Sequence, residues 1–424
     1  MTPAARVGSA IEALELIEET GRPADAVLGG FFRARRHIGA SDRKAVAERV
    51  FGVLRRRARL DWHLARRGAE PTARTRMLAR LLLVDRLQEP GAVFGRGKYA
   101  PAPLEPEELD LFMALAGEPL EPPEMPASVR AECPAWAETG LRKSLSGAFA
   151  EEMKALAEPA PVDLRVNALK TTRREARRLL FQDGIRAEPV ADAPWALRCE
   201  GRPALGRTRA FREGLVEVQD AGSQRIAHAV AAEPGMQVVD FCAGAGGKAL
   251  ALAADMQGKG RIVATDVHDK RLARLGERMR RAGAHNIERR LLDSERDRWV
   301  RRQRGKFDRV LVDAPCTGTG SWRRNPDARW TRDGPGLAEL IALQDRILES
   351  AARLVKPGGR LVYATCSLLG DENEARVARF LETAPDFARA EDDLRISPAR
   401  DGSDGFYAAI LERESDPCAN DSAA

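Results

Sequence analysis

Two cysteines stand in the segments Asp313-Ala314-Pro315-Cys316-Thr317-Gly318-Thr319-Gly320 and Tyr363-Ala364-Thr365-Cys366-Ser367. Each follows an apolar run that reads as a buried strand, residues 308–312 in the first case and 360–364 in the second. Open α/β sheets present their reactive groups beyond the carboxyl ends of parallel strands. Two thiols delivered there beside Asp313 point to covalent catalysis by a thiolate.

A second cluster is the turn Cys242-Ala243-Gly244-Ala245-Gly246-Gly247-Lys248, between a short apolar strand and a helix. Its glycines let the backbone approach a ligand closely. Asp266 closes the next strand, where an acid accepts hydrogen bonds from ribose hydroxyls. Asp293 closes the strand after that and would serve an adenine. A nucleoside triphosphate wants Gly-x-x-x-x-Gly-Lys-Ser/Thr, and Cys242 and Ala249 break that pattern twice. A nicotinamide dinucleotide wants Gly-x-Gly-x-x-Gly, whereas this turn reads Gly-x-Gly-Gly. S-adenosylmethionine carries a ribose but no phosphate. The turn alone leaves nucleotide and S-adenosylmethionine readings near parity.

The thiols separate them. C5 of a pyrimidine is a poor nucleophile until a thiolate adds to C6 and makes C5 enamine-like. C5 then takes a methyl group, a base removes the C5 proton, and the thiol is eliminated. The thiolate is the required form. Asp313 would hydrogen-bond the base edge.

The chain resembles the Sun-type bacterial RNA cytosine-5 methyltransferases. The resemblance runs from about residue 164 to 413. It rests on Arg165-Val166-Asn167, on Val218-Gln219-Asp220-Ala221-Gly222-Ser223-Gln224, on the glycine turn, and on the two cysteine segments. It implies that Cys366 is the nucleophile, that Cys316 is a second thiol needed to resolve the adduct, and that Asp313 faces the target base. It also implies an S-adenosylmethionine site formed by residues 242–248 with Asp266, Asp293 and Asp313. Gly244-Ala245 stands where the family has Ala-Pro, and Ala249 where it has Thr. DNA cytosine methyltransferases place their nucleophile in the Pro-Cys segment, so the Thr-Cys-Ser partner points to RNA. Ribosomal RNA is the favoured substrate, with transfer RNA open. A nicotinamide-dependent oxidoreductase and a noncatalytic RNA-binding protein are the alternatives.

The elements that must hold these residues follow from periodicity. Strands alternating with helices from residue 235 onward predict an α/β fold with a Rossmann-like methyltransferase sheet over 221–413. The run 405–411 reads as an antiparallel edge strand. A small α+β RNA-binding unit is expected over 128–220, with Thr172 capping a helix. An N-terminal all-helical, NusB-like domain with a proline-rich end spans 1–127, with Ser9 and Ser41 as helix caps. The tail 414–424 is polar and expected to be disordered. Asp220 and Ser223 read equally well as a helix cap or as site residues.

The 424 residues carry 69 Lys plus Arg against 63 Asp plus Glu, a net charge of +6. The basic residues are clustered. Residues 49–80 hold ten arginines and only two acids, Asp61 and Glu70, and a second basic run spans 270–306. Such runs suit a phosphate backbone, and Arg55, Arg56, Arg57 and Arg59 are expected to contact RNA. Arg323, Arg324 and Arg329 read as phosphate ligands or as ordinary surface charge, and Trp322 and Trp330 as packing. Six scattered cysteines lack Cys-x-x-Cys spacing, which argues against zinc or a disulfide framework. No leader and no membrane-length apolar run is visible, so a cytoplasmic monomer is expected.

Overall fold

The computed structural model describes residues 1–95, 97–330 and 335–415. It divides into two compact units: Met1–Pro159 with Trp322–Gly334, and Ala160–Ser321 with Pro335–Ala424. This division does not coincide with the expected boundaries at 127 and 220. Residues 128–157 are helical (Ala127–Arg130, Ala135–Leu145, Phe149–Ala157) and belong to the first unit. So does the stretch that begins at Trp322, whose fully buried ring meets Trp136 edge-on at 5.9 Å. Arg329 is equally buried and donates to the Glu132 carbonyl. A linear reading cannot see a segment leave one unit to pack in another. Residues 416–424, most of the expected tail, lie outside the described residues.

The first unit is all-helical. Its longer helices are Pro3–Thr20, Ala24–Ala34, Ala40–Leu54, Arg57–Ala65, Ala73–Leu83 and Pro106–Leu115. Apolar residues at helical spacing, among them Leu14, Val50, Leu60, Leu64 and Met77, form one fully buried core. Both expected caps are displaced. Ser9 lies buried inside the first helix, which Thr2 caps by accepting from Ala5 N at 3.1 Å. Ser41 is the second residue of a helix that Gly39 caps. In each case the helix begins before the first periodic apolar residue, so a small polar residue inside the first turns is indistinguishable from a cap.

The arginine run 49–80 is mostly structural, against the RNA-contact expectation. Arg55 and Arg59 are buried. Arg59 Nε donates to Glu132 at 2.8 Å, and Glu132 also accepts from Ala58 N and Arg59 N at 2.9 and 3.1 Å. Arg76 bridges Asp61 and Glu18, and Arg74 grips Glu108 with two nitrogens. Arg57 pairs with Asp61 at 3.7 Å. The acids that neutralise this run lie far along the chain, at positions such as 108, 121 and 132.

The second unit holds two sheets. The smaller contains β1 (Val162–Val166), β2 (Ala187–Pro189), β3 (Ala196–Cys199) and β4 (Val216–Val218), in the order β2-β3-β1-β4 and antiparallel throughout. Helix Arg173–Gln182 packs on it, capped by Thr172 as expected. The larger contains β5 (Gln237–Asp240), β6 (Arg261–Asp266), β7 (Ile287–Leu291), β8 (Phe307–Asp313), β9 (Val355–Thr365), β10 (Phe387–Arg389), β11 (Leu394–Ile396) and β12 (Phe406–Arg413). Its order is β10-β12-β9-β8-β5-β6-β7, with β11 also on β12. Strands β7, β6, β5, β8 and β9 are parallel, and β12 runs antiparallel to β9. The central strands are apolar on both faces because separate cores cover each side. The closing strand β12 is interior, not an edge, because β10 and β11 pair with its other side. Those two strands are three residues each, too short to register as periodic runs.

Glu132 is wholly buried and holds both Arg59 and the start of helix Arg57–Ala65. Breaking such a pair from one side strands a charge and costs about 3–5 kcal/mol. Arg59→Met is expected to lose that much in urea unfolding, and Arg59→Met with Glu132→Gln to recover part of it. A phosphate-contact role predicts instead unchanged stability and a shallower salt dependence of RNA binding.

Candidate active site

The large sheet reverses its winding between β5 and β8. From β5 the chain builds outward through β6 and β7, and then β8 and β9 form on the other side. That switch point opens a crevice beyond the carboxyl ends of the strands. A cavity of about 680 Å³ lies there. Every residue of the 242–248 turn except Gly246 lines it, as do Asp266, Asp293 and Asp313. Ser223 is also in the wall. Asp220 is not: its carboxylate caps helix Ala221–His228 and accepts from Asp404 N.

Gly246 works through its backbone. It sits at φ +75°, and a Cβ there would lie 2.1 Å from Leu275 Cδ1. The turn is also held from outside. Arg165 on β1 donates to the Gly247 carbonyl and to Gln219 Oε1, both at 2.5 Å. Burial pushes its guanidinium down to about 10. Arg278 donates to the Ala245 carbonyl at 2.7 Å and, with Arg281, holds Glu217. Part of the second basic run is therefore committed to the turn and to β4. Asn167 donates to the carbonyls of Gly214 and Ala282, each at 2.8 Å.

Charge in the cavity is arranged around one buried ammonium. Lys248 Nζ lies 2.5 Å from Asp313 Oδ2 and 5.6 Å from the Phe406 ring centroid. Burial opposes its charge, but the charge and hydrogen bond of Asp313 outweigh that and hold its pKa above the ordinary value. Lys248 therefore engages the expected base-facing acid as well as lining the cavity. Asp266 is oriented by two backbone donors, Gly244 N and His268 N, each at 2.8 Å. Asp293 is exposed at the cavity mouth. Asp240, at the end of β5, was not among the expected site residues. It is buried, and neither carboxylate oxygen has a hydrogen-bond partner. Burial, and then the charge of Asp313, push its carboxyl up to about 7, against the pull of Lys248. Its position at a strand end beside the turn was the available signal.

The two thiols meet. Cys316 Sγ and Cys366 Sγ are 3.5 Å apart. The hydrogen bond to Cys366, then burial, then the charges of Cys366 and Glu372 push the Cys316 thiol well above its usual range. Cys316 is thereby held as a neutral thiol. Burial likewise pushes Cys242 up, so it lines the cavity as an unreactive thiol. Two further residues near the cysteines carried no sequence signal: Glu372 and Asn373, both buried, bond to the two cysteine loops. Arg323 and Arg329, weighed as phosphate ligands, are buried in the first unit, where Trp322 and Trp330 also lie.

Asp240 gives a stability signature. Its carboxyl titrates near 7 folded and near 3.8 unfolded, so between those values the unfolded state carries fewer protons. Stability of the ligand-free protein should therefore fall as pH rises through that window, by on the order of a few kcal/mol. Asp240→Asn should remove this component and raise the melting temperature at pH 7 more than at pH 4.5. Equal shifts at both values would contradict the assignment.

Among the described residues, no helix is long and apolar enough to cross a membrane, and no group of His, Cys, Asp and Glu is arranged to hold a metal. A family model described as 16S rRNA methyltransferase RsmB/F matches residues 227–412, and a ferredoxin-like domain of RsmF/B-like methyltransferases matches residues 133–204. Ribosomal RNA small subunit methyltransferase B of Salmonella arizonae is 29% identical, covering 95% of this chain and 98% of the relative. The crystal structure of PH0851 is 25% identical with a TM-score of 0.80, covering 97% of this chain and 99% of that one. NSun6 from Pyrococcus horikoshii, solved with SFG, shares the fold over 67% of this chain and 99% of its own, at 20% identity and a TM-score of 0.60. With the sheet, the glycine turn and the paired cysteines in place, the chain is similar to the 16S rRNA methyltransferase RsmB/F family over residues 227–412 and is an S-adenosylmethionine-dependent RNA methyltransferase.

Proposed function

We propose that the protein methylates C5 of a cytosine in small-subunit ribosomal RNA through a covalent adduct between Cys366 and C6. The observation that carries this reading is the pair of thiols 3.5 Å apart beside an acid-lined cavity. A methyltransferase acting on a nitrogen or a hydroxyl has no use for two apposed thiols. C5 chemistry uses one to add and one to help release.

The cavity fits a ligand with cationic groups. Asp240 offers two buried, unpartnered oxygens that suit an ammonium. Asp266 keeps lone pairs free for ribose hydroxyls beside its two backbone bonds. Asp293 stands at the mouth for the adenine side. A diphosphate would meet these acids with only Lys248, already held by Asp313, within the turn. This disfavours the nicotinamide alternative. When bound, S-adenosylmethionine supplies an electrophilic methyl group to C5.

The chain's own residues do the rest. Cys366, as thiolate, adds to C6 and loads C5 with electron density. Asp313, paired with Lys248, hydrogen-bonds the pyrimidine edge and relays a proton from the Lys248 ammonium to N3 as charge arrives there, taking it back when the thiol is eliminated. A base removes the C5 proton after methylation, and the C6–S bond breaks to return the Cys366 thiolate. Cys316, held neutral, donates a hydrogen bond to the Cys366 sulfur as it leaves, stabilising the returning thiolate, and is not a second nucleophile. The target base must leave its stack to reach sulfur at the sheet edge.

Cys366→Ala is expected to abolish methylation and form no adduct. Cys316→Ala should also be inactive, yet accumulate a protein–RNA species that survives denaturing electrophoresis. Normal turnover by Cys366→Ala would overturn this mechanism. Asp266→Ala should weaken S-adenosylmethionine binding by about 1.5–3 kcal/mol through lost charged hydrogen bonds. RNA affinity should be unaffected, and calorimetry measures both.

A further inference from the structure

Two consecutive residues at the head of helix Glu374–Thr383 touch both cysteine loops. Glu372 is wholly buried, and its carboxylate is satisfied by the loop that carries Cys316. Oε1 accepts from Thr317 N at 2.9 Å, and Oε2 accepts from the Thr317 hydroxyl. Gln344 braces the same corner: its Nε2 donates to Glu372 Oε1 and to the Pro315 carbonyl, both at 2.9 Å. The residues on either side of Cys316 are therefore both fastened, directly or through Gln344, to one carboxylate.

Asn373 does the same for the other cysteine. Its Oδ1 accepts from the Thr365 hydroxyl at 2.5 Å, and its Nδ2 donates to the Ser367 carbonyl at 2.9 Å. The side chain thus spans Cys366, bonding the residue before it and the residue after it. The Thr365 hydroxyl also accepts from Ser367 N at 3.1 Å, which tightens the turn. The Tyr363 hydroxyl donates to the Glu372 carbonyl at 2.7 Å, locking the pair to β9.

Burying a carboxylate and an amide is costly unless each is fully bonded. Here their side-chain bonds go to Thr317, Thr365 and Ser367, three of the four residues flanking the two thiols, and to Gln344, which holds the fourth, Pro315; a purely structural cap would have no reason to make them. We propose that Glu372 and Asn373 are positioning residues for the two thiols, Glu372 setting Cys316 and Asn373 setting Cys366, so that one dipeptide fixes the sulfur–sulfur distance. This rests on the two-thiol reading above, and it assigns the two neighbours to different steps. Loss of Asn373 should misplace the nucleophile and stop adduct formation. Loss of Glu372 should misplace the resolving thiol and stop adduct release.

The test uses the full-length protein, radiolabelled S-adenosylmethionine and a small-subunit ribosomal RNA transcript, with Cys366→Ala and Cys316→Ala alongside. Misplacing a reacting group by about 1 Å costs on the order of 10²-fold in rate. Asn373→Ala should lower kcat by that order with no adduct on a denaturing gel, matching Cys366→Ala. Glu372→Ala should lower kcat similarly but accumulate adduct, matching Cys316→Ala. KM for S-adenosylmethionine should stay within about twofold for both, since neither residue lines its cavity. Glu372→Gln keeps an acceptor for Thr317 N and a donor for the Thr317 hydroxyl. It should restore turnover to within about tenfold of wild type without adduct.

Melting temperature is followed for each variant to identify any that fail to fold, and the Glu372→Gln and adduct readouts then decide. If the cysteine controls separate as described while Glu372→Ala and Asn373→Ala give the same adduct level, the assignment is wrong. Adduct accumulation by Glu372→Gln would also overturn it, because charge and not position would then be the cause. If the cysteine controls themselves do not separate, the two-thiol reading fails first.

Discussion

The parallel pairing of β8 with β9 is the constraint on which the site depends. Asp313 and Ala364 are register partners, so the strands end together and each continues into a loop carrying a cysteine. Neighbouring strands lie about 4.8 Å apart, whereas the two sulfurs are 3.5 Å apart. The loops must therefore converge. Gly320 N donates to the Cys366 carbonyl, and the Thr319 hydroxyl accepts from Leu368 N at 2.8 Å. Gly320 also packs directly on Gly405, where a Cβ would come within 2.3 Å of a carbonyl oxygen. The two glycines let the loop lie flat against the start of β12.

The same sheet edge has to keep a lysine and several acids out of bulk water. Placing Lys248 against Asp313 neutralises one acid and leaves Asp240 nearby with its carboxyl pushed up to about 7. A ligand with a positive charge would let Asp240 ionise with a partner. On the proposed reading, in which Asp240 meets the cofactor's ammonium, cofactor affinity and protein stability are linked through one side chain.

Arginine-rich segments give the opposite lesson. Residues 49–80 have the composition of a nucleic-acid contact, yet Arg59, Arg74 and Arg76 end in carboxylates of their own unit. Composition reports how many charges are present and not where their partners lie. The pairs span up to 73 residues of sequence, and no local pattern encodes them. The same holds for Arg165, which stands in one of the segments that carry the resemblance. Its guanidinium is wholly enclosed and braces the glycine turn from behind.

The alternation of short apolar strands with helices, the glycine turn, and the acids and cysteines at strand ends were all legible along the chain. Period and strand polarity are local, so β5, β6, β8 and the helices between them could be placed to within a few residues. That also determined which side chains would meet at the carboxyl edge, since parallel strands bring their ends together whatever the loops do. Only the tertiary structure decided the rest. β12 became interior because two three-residue strands cover it, and Trp322 and Arg329 joined the helical unit because their partners are Trp136 and Glu132. Asp240 takes its importance from burial without a hydrogen-bond partner, Asn373 from bonds to both neighbours of Cys366, and Glu372 from bonds to a loop 55 residues away. A sequence shows the types of its polar residues, but the cost of burying them, and hence what they must be bonded to, exists only once the chain has folded around them.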